Sequence, residues 1–229
     1  MSIKGLPFFC SWSGGKDSCL ALYYAIREGG KPRALFTTLA EGGDKTRAHG
    51  LPLDLLHRQS AALGIPLVTR ATSWEDYTAV FISVLRQLKE QGIEAGVFGD
   101  IDLEAHREWV ENTCSSAGLF PFLPLWKKPH RELLREFLEL GFKATIIAVK
   151  DDILDKSLLG KTLDEEIIDR MERSGVDPMG EQGEFHTVVT DGPIFSFPLS
   201  LEMESQVLHD GYWFQQVRVA PALAGKAGR

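Results

Sequence analysis

Ser11-Trp12-Ser13-Gly14-Gly15-Lys16-Asp17-Ser18 stands near the N-terminus of a 229-residue chain, between two stretches of different periodicity. The apolar run Leu6-Pro7-Phe8-Phe9-Cys10 leads in, and Leu20, Leu22, Tyr23 and Ile26 lead out at helical spacing. That order predicts a strand, a tight turn and a helix. Paired glycines allow backbone angles and close approaches that a Cβ forbids. Amide groups at the start of the helix, aligned with its dipole, favour an anion. The hydroxyls of Ser13 and Ser18 and the ammonium of Lys16 add further phosphate-binding groups. A strand-to-helix turn with ordinary capping residues is the bland alternative. The grouping of Ser, Gly-Gly, Lys, Asp and Ser directly behind a first strand favours a phosphate cradle.

Outward from this loop the chain alternates. Gly29-Gly30 stop the first helix, and Ala34 to Leu39 reads as a second strand. The polar segment 41–50 then carries Arg47, His49 and Gly50. It follows the carboxyl end of a strand, where open α/β sheets place ligands, so His49 either lines a nucleotide pocket or is simply solvated. A helix is predicted over 52–63 with Leu53, Leu56 and Ala61 inward, then a third strand over 65–69. Ser73-Trp74-Glu75-Asp76 resembles a capping box opening a helix whose Tyr77, Val80, Phe81, Val84, Leu85 and Leu88 are assigned to the core. A fourth strand, 94–98, ends in Gly99-Asp100-Ile101-Asp102. An acid at that place suits a magnesium ligand or a ribose contact, whereas capping the next helix is the plainer role. Asp100 is assigned to the site and Asp102 to the cap.

The character changes at Leu119–Trp126, a Pro- and aromatic-rich joint in which Trp126 is assigned to packing. An amphipathic helix (130–140) and a strand (142–149) follow. A second capping box is expected at Thr162 and Glu165. Gly180-Glu181-Gln182-Gly183-Glu184-Phe185-His186-Thr187 holds too many glycines and charges for a regular element. It suits either a charged surface loop or a grip on a cation or amine. Alternation at Phe195, Phe197, Leu199 and Leu201, and at Trp213 to Val219, predicts closing strands, and the chain from Ala220 reads as a disordered tail. Four strand–helix alternations predict a doubly wound parallel α/β sheet over residues 1–122, with a smaller C-terminal α+β domain over 123–229.

Acidic residues outnumber basic ones, 32 to 25, for a net charge of −7, which argues against non-specific nucleic-acid binding. Cys10, Cys19 and Cys114 show no metal-ligand spacing and no CxxC, which weighs against a sulfur-carrying enzyme. No signal peptide, lipidation motif or long apolar run is present in the sequence, so a soluble cytoplasmic protein without membrane contact is expected.

The glycine loop is not a Walker A loop, which needs Gly at position 10 and Ser or Thr after the lysine; the chain has Cys10 and Asp17. It resembles instead the Ser-Gly-Gly-x-Asp-Ser signature of the PP-loop ATP pyrophosphatases, which split ATP between its α- and β-phosphates. The second stretch resembles the C-terminal signature of the diphthine–ammonia ligase (diphthamide synthase) family, approximately Gly-Glu-x-Gly-Glu-Phe-Glu-Thr, hydrophobics, Asp-Gly-Pro. Gly180, Glu181, Gly183, Glu184, Phe185, Thr187, Asp191, Gly192 and Pro193 match it, and His186 stands where the pattern has an acid. The likeness extends over nearly the whole chain, through Gly99-Asp100-Ile101, Pro124-Leu125-Trp126 and Leu159-Gly160-Lys161. The resemblance implies ATP and Mg2+, ammonia, and a carboxylate substrate carried on a protein (the diphthine of elongation factor 2 in an archaeal or eukaryotic source). It also implies a homodimer. Ser11, Ser13, Gly14, Gly15, Lys16, Asp17, Ser18, His49, Gly99 and Asp100 are the expected nucleotide-binding residues. Asp17 and Asp100 are the expected metal ligands, and Lys16, Asp17, Glu181 and Glu184 the expected catalytic residues. An ATP pyrophosphatase with another substrate, and a non-catalytic ATP-binding module, are the alternatives.

Overall fold

A computed structural model describes residues 2–47 and 49–220. Its first half is built from β1 (Pro7–Ser11), α1 (Lys16–Arg27), β2 (Lys31–Leu39), α2 (Leu53–Leu63), β3 (Leu67–Ala71), α3 (Tyr77–Glu90), β4 (Ala95–Val97), α4 (Glu104–Ser116) and β5 (Phe120–Phe122). The five strands form a parallel sheet in the order β3-β2-β1-β4-β5. The chain winds outward from β1 to β3, crosses back, and lays β4 on the other side of β1. A topological switch point therefore lies between β1 and β4, where open α/β sheets bind ligands beyond their carboxyl ends.

Strand side chains alternate between faces. Phe8, Cys10 and Leu35 pack with Leu20 and Leu22 of α1 and Leu55 and Leu56 of α2. Phe9 and Phe36 pack on the opposite side with Phe81 and Leu85 of α3 and Val110 and Cys114 of α4. Two helical layers thus enclose the sheet, as the sequence alternation predicts.

The second half comprises α5 (His130–Glu139), β6 (Lys143–Lys150), a 3-10 turn (Lys156–Leu158), α6 (Glu165–Arg173), β7 (Phe185–Asp191), β8 (Leu201–His209) and β9 (Tyr212–Val219). Its strands form an antiparallel sheet in the order β7-β6-β9-β8. Ile146, Val149, Val188 and Val189 of this sheet belong to the same apolar cluster as Phe8 and Leu20, so the two sheets share a core. Among the described residues no helix is long and apolar enough to cross a membrane.

Several local expectations are corrected. The joint at 119–126 contains β5, a fifth strand paired with β4; its Pro121 sits on the sheet edge, where a missing N–H is tolerated. The buried side of α2 carries Leu55, Leu56, Gln59 and Ala62, and Ala61 is exposed. A polar residue in the buried stripe hid the true phase. Asp102 does not cap α4, whose N-cap is Leu103. Asp164 rather than Thr162 caps α6, accepting from Ile167 N–H. Ser73 and Asp76 close a bend just before α3 instead of capping its first turn. Phe195 to Leu199 precedes β8 as irregular chain, and Phe197 is exposed. Ala220 pairs with Ser200, while 221–229, the rest of the expected tail, lie outside the described residues.

Candidate active site

A cleft of about 550 Å³ opens at the carboxyl ends of β1, β2 and β4 and is closed on its far side by residues 180–183 and 185–187. Its floor is the turn after β1. Gly14 has φ +81°, and a Cβ there would lie 2.8 Å from Gln59 Oε1. Ser13 and Ser18 hydroxyls lie 3.1 Å apart, and Ser18 Oγ donates to Gly15 O at 3.1 Å. Ser13 Oγ accepts from Gly15 N–H at 3.3 Å. These contacts span at most five residues, so the turn is shaped by its own sequence. Gly99 packs directly on it, for a Cβ there would lie 2.8 Å from the Asp17 carbonyl carbon.

The start of α1 is held by the other half of the chain. Lys16 N–H donates to Thr187 Oγ1 at 3.1 Å. Lys16 Nζ donates to Met179 O at 2.5 Å and to Asp17 Oδ2 at 3.0 Å, and lies 4.9 Å from the Phe185 ring centroid. Beneath the turn, the fully buried Gln59 accepts from Trp12 Nε1–H at 3.0 Å. It donates to Gly14 O at 3.0 Å and to Val189 O at 2.8 Å. One side-chain amide thus joins β7 to the glycine turn, and Val189 N–H also donates to Gly14 O at 2.9 Å.

The acidic loop is anchored in its turn. His130 Nδ1 lies 2.8 Å from Asp177 Oδ1, and its Nε2 lies 3.3 Å from Asp102 Oδ2. Asp177 also accepts from Met179 N–H at 3.0 Å and Glu181 N–H at 3.3 Å. Burial pushes the Asp177 carboxyl up, but the bonds from His130 and these amides outweigh it and leave the group below the usual range. Glu181 Oε1 accepts from Ile101 N–H at 3.0 Å and Asp102 N–H at 3.4 Å, which ties the loop to the end of β4. Glu184 turns the other way. It is buried, accepts from Gln182 N–H at 3.1 Å, and is not in the cleft wall.

Three acids face the cleft: Asp17, Asp100 and Glu181. Burial raises the Asp17 carboxyl against the lowering effect of Lys16, and Asp100 raises it further. Burial raises Glu181 as well, with Asp17 and Asp100 adding repulsion. Asp17 Oδ1 is buried without a hydrogen-bond partner. Two imidazoles stand beside the turn, with His49 and His186 ring centroids 4.4 Å apart. Burial holds His186 down at about 4 and His49 well below the usual histidine value, with Lys16 adding to both, so both are neutral near pH 7.

Of the expected residues, Ser11, Ser13, Lys16, Asp17, Ser18, His49, Gly99, Asp100 and Glu181 line one cleft. Gly14 and Gly15 lie just behind its wall, shaping the turn, and Glu184 is directed elsewhere. Tyr77 and Phe81, read as core, also line it, as do Trp74, His106 and His186. His106 Nδ1 lies 3.3 Å from Asp100 Oδ1, and that bond raises its pKa. Gln59, Thr187 and the His130–Asp177 pair had no assigned role in the sequence reading. A polar residue on the buried stripe of α2 was the one available signal for Gln59. Cys10, Cys19 and Cys114 are buried, and burial pushes the Cys114 thiol up to about 12, so none is a ready thiolate.

The comparisons with known proteins agree with this arrangement in both halves. Residues 8–121 match the family model described as "Diphthamide synthase N-terminal domain", and residues 129–220 the one described as "Diphthamide synthase C-terminal domain". A mouse protein named diphthine–ammonia ligase is 30% identical over 233 residues, covering 90% of this chain and 86% of the relative. Its human counterpart is 28% identical over the same shares. Among solved structures, a Methanocaldococcus jannaschii chain described as a "predicted subunit of tRNA methyltransferase" aligns over 82% of this chain and 98% of its own. That alignment has 17% identity and a TM-score of 0.46. Matching both family domains in order, with the glycine turn in one and the acidic loop in the other, this chain belongs to the diphthamide synthase family.

Proposed function

We propose that the protein is an ATP-dependent ligase that activates a carboxylate and converts it to an amide with ammonia. The carboxylate oxygen attacks the α-phosphorus, the bond to the bridging oxygen breaks, and pyrophosphate leaves. Ammonia then attacks the acyl carbon, AMP departs, and one proton is lost. Residues 1–122 are proposed as the ATP-binding unit and 123–229 as the substrate-binding unit. The relatives named diphthine–ammonia ligase make a protein-borne carboxylate, diphthine on elongation factor 2, the first substrate to test.

One observation carries the reading: the two motifs share a single cleft, joined by Thr187 on Lys16 N–H, Met179 O on Lys16 Nζ, and Glu181 on the Ile101 and Asp102 amides. Catalysis here is positioning plus electrostatics, since the developing charge lies on phosphate oxygens. The turn with Ser13 and Ser18 is proposed to hold the departing pyrophosphate, and Lys16 to offset its charge. Asp17 and Asp100 fit Mg2+, because Asp17 Oδ1 is buried with no partner and magnesium needs only one or two carboxylates beside phosphate oxygens. When bound, the ion would neutralise charge on the departing pyrophosphate. Among the described residues no group of three or more candidate ligands is preassembled. Glu181 is proposed to orient ammonia or the acyl group at the cleft's far edge.

A second reading, an ATP pyrophosphatase of the same superfamily with a different acyl substrate, draws on His186. An uncharged imidazole, its ring centroid 4.4 Å from that of His49 and its plane tilted against it, occupies a position where the family pattern has an acid. Product analysis tests both. With ATP, Mg2+, ammonium and a candidate carboxylate, AMP and pyrophosphate are expected, and ADP with phosphate would overturn the scheme. AMP formation that responds to another carboxylate but not to diphthine-bearing elongation factor would select the second reading.

A further inference from the structure

Arg47 lines the cleft and has no ion-pair partner among the described residues. Its Nε and Nη2 atoms are buried and have no hydrogen-bond partner among the described residues. These two atoms share one edge of the guanidinium, the edge that grips two oxygens side by side. The face of the group lies 4.6 Å from the centroid of the Trp74 ring, which fixes its plane. The three cleft acids are engaged elsewhere. Asp17 pairs with Lys16 through Oδ2, Asp100 meets His106, and Glu181 accepts from the Ile101 and Asp102 amides, and none of the three forms an ion pair with Arg47.

A buried donor edge without an acceptor is costly, and a guanidinium without a counter-charge more so. In native proteins such an orphaned group marks a functional role, a bound water or a bound ion. The Trp74 indole restrains the group without satisfying either N–H, so the missing partner is a planar or tetrahedral pair of anionic oxygens.

We infer that the Nε–Nη2 edge of Arg47 is a binding site for a two-oxygen anionic group, the carboxylate of the second substrate. The turn at Ser13–Ser18 supplies a phosphate cradle of its own, which leaves this fork for the carboxylate. Naming the ligand as the acyl substrate rests on the ligase reading, but the fork does not. A phosphoryl group of the nucleotide presents the same oxygens, and the test separates the two sources.

Wild-type protein, Arg47→Met and Arg47→Lys are titrated calorimetrically with α,β-methylene-ATP, then with glutarate as a carboxylate probe on the nucleotide-loaded protein. Methionine keeps a stem against Trp74, and equal melting temperatures verify the fold. The expected result is nucleotide affinity within about twofold of wild type and glutarate binding weakened about 10- to 100-fold in Arg47→Met. Arg47→Lys should fall between, since it keeps the charge and loses the fork. A tenfold loss for the nucleotide instead would assign the fork to a phosphate. Unchanged nucleotide affinity together with no Arg47-dependent glutarate binding, including none at all in the wild type, would overturn the site. Failure of the ligase reading is seen separately, as ADP formation by wild-type protein.

Discussion

The glycine turn at 13–18 and the acidic loop at 177–187 meet in one cleft but are held in opposite ways. The turn is shaped by short-range contacts among Ser13, Gly15 and Ser18, between a strand and a helix that follow each other directly. The acidic loop has short-range bonds as well, from the Met179, Glu181 and Gln182 amides to Asp177 and Glu184. Its position comes from distant residues: His130 on Asp177, the Ile101 amide on Glu181, and Lys16 on Met179. Groups fixed locally can be read from sequence, whereas groups fixed at a distance acquire their roles only when the chain closes on itself.

Breaking the junction between the two should have the largest effect. Lys16→Ala is expected to lower AMP and pyrophosphate formation by about 10²–10³, with the fold verified by melting temperature. Pyrophosphate release at the wild-type rate would refute the role given to Lys16. Next comes Gln59→Leu, which removes three buried hydrogen bonds, taking this partner from the Trp12 N–H and the Val189 carbonyl and leaving Gly14 O with the Val189 N–H. Destabilisation of about 2–4 kcal/mol is expected in urea unfolding. A change below 0.5 kcal/mol would show that β7 holds the turn unaided.

His130→Ala tests the long-range anchoring of the acidic loop and should cost less, about 1–2 kcal/mol of stability. Its effect on the steady-state constants is expected mainly in KM, with hydrogen exchange rising at Met179 and Glu181 and not at Gly15. Equal exchange at both loops would erase the contrast drawn here. The smallest effect is one of pH. Folding depresses His186 from 6.5 to about 4, so the unfolded chain binds more protons between those values, and stability is lost as pH falls through that window. His186→Gln should make the decline in melting temperature from pH 6.5 to 4 shallower, though not flat, because His49 is depressed as well. A wild-type slope in the variant would contradict a buried neutral imidazole.

Much of the first sheet was legible because alternating apolar runs and helical spacing are local signals, and the turn was legible because glycine and serine chemistry acts over a few residues. The segment holding β5 was read only as a joint, because three residues around Pro121 carry no strand signal until β4 lies beside them. Glu181 and Glu184 were indistinguishable as letters in one motif. In the folded chain one reaches across to the β4 loop and the other satisfies its own backbone. Arg47 and His186 likewise appear in the sequence as a loop cation and a replaced acid.

By itself, then, the sequence determined the doubly wound order of strands and helices, the glycine turn between β1 and α1, and the family. These depend on periodicity, turn stereochemistry and motif, all expressed within a few residues of chain. The tertiary structure alone decided which acids enter the cleft, that Gln59 bolts the turn to β7, and that Arg47 lines the cleft without an ion-pair partner among the described residues. Burial and pairing depend on what the rest of the chain brings alongside, and no local pattern encodes them.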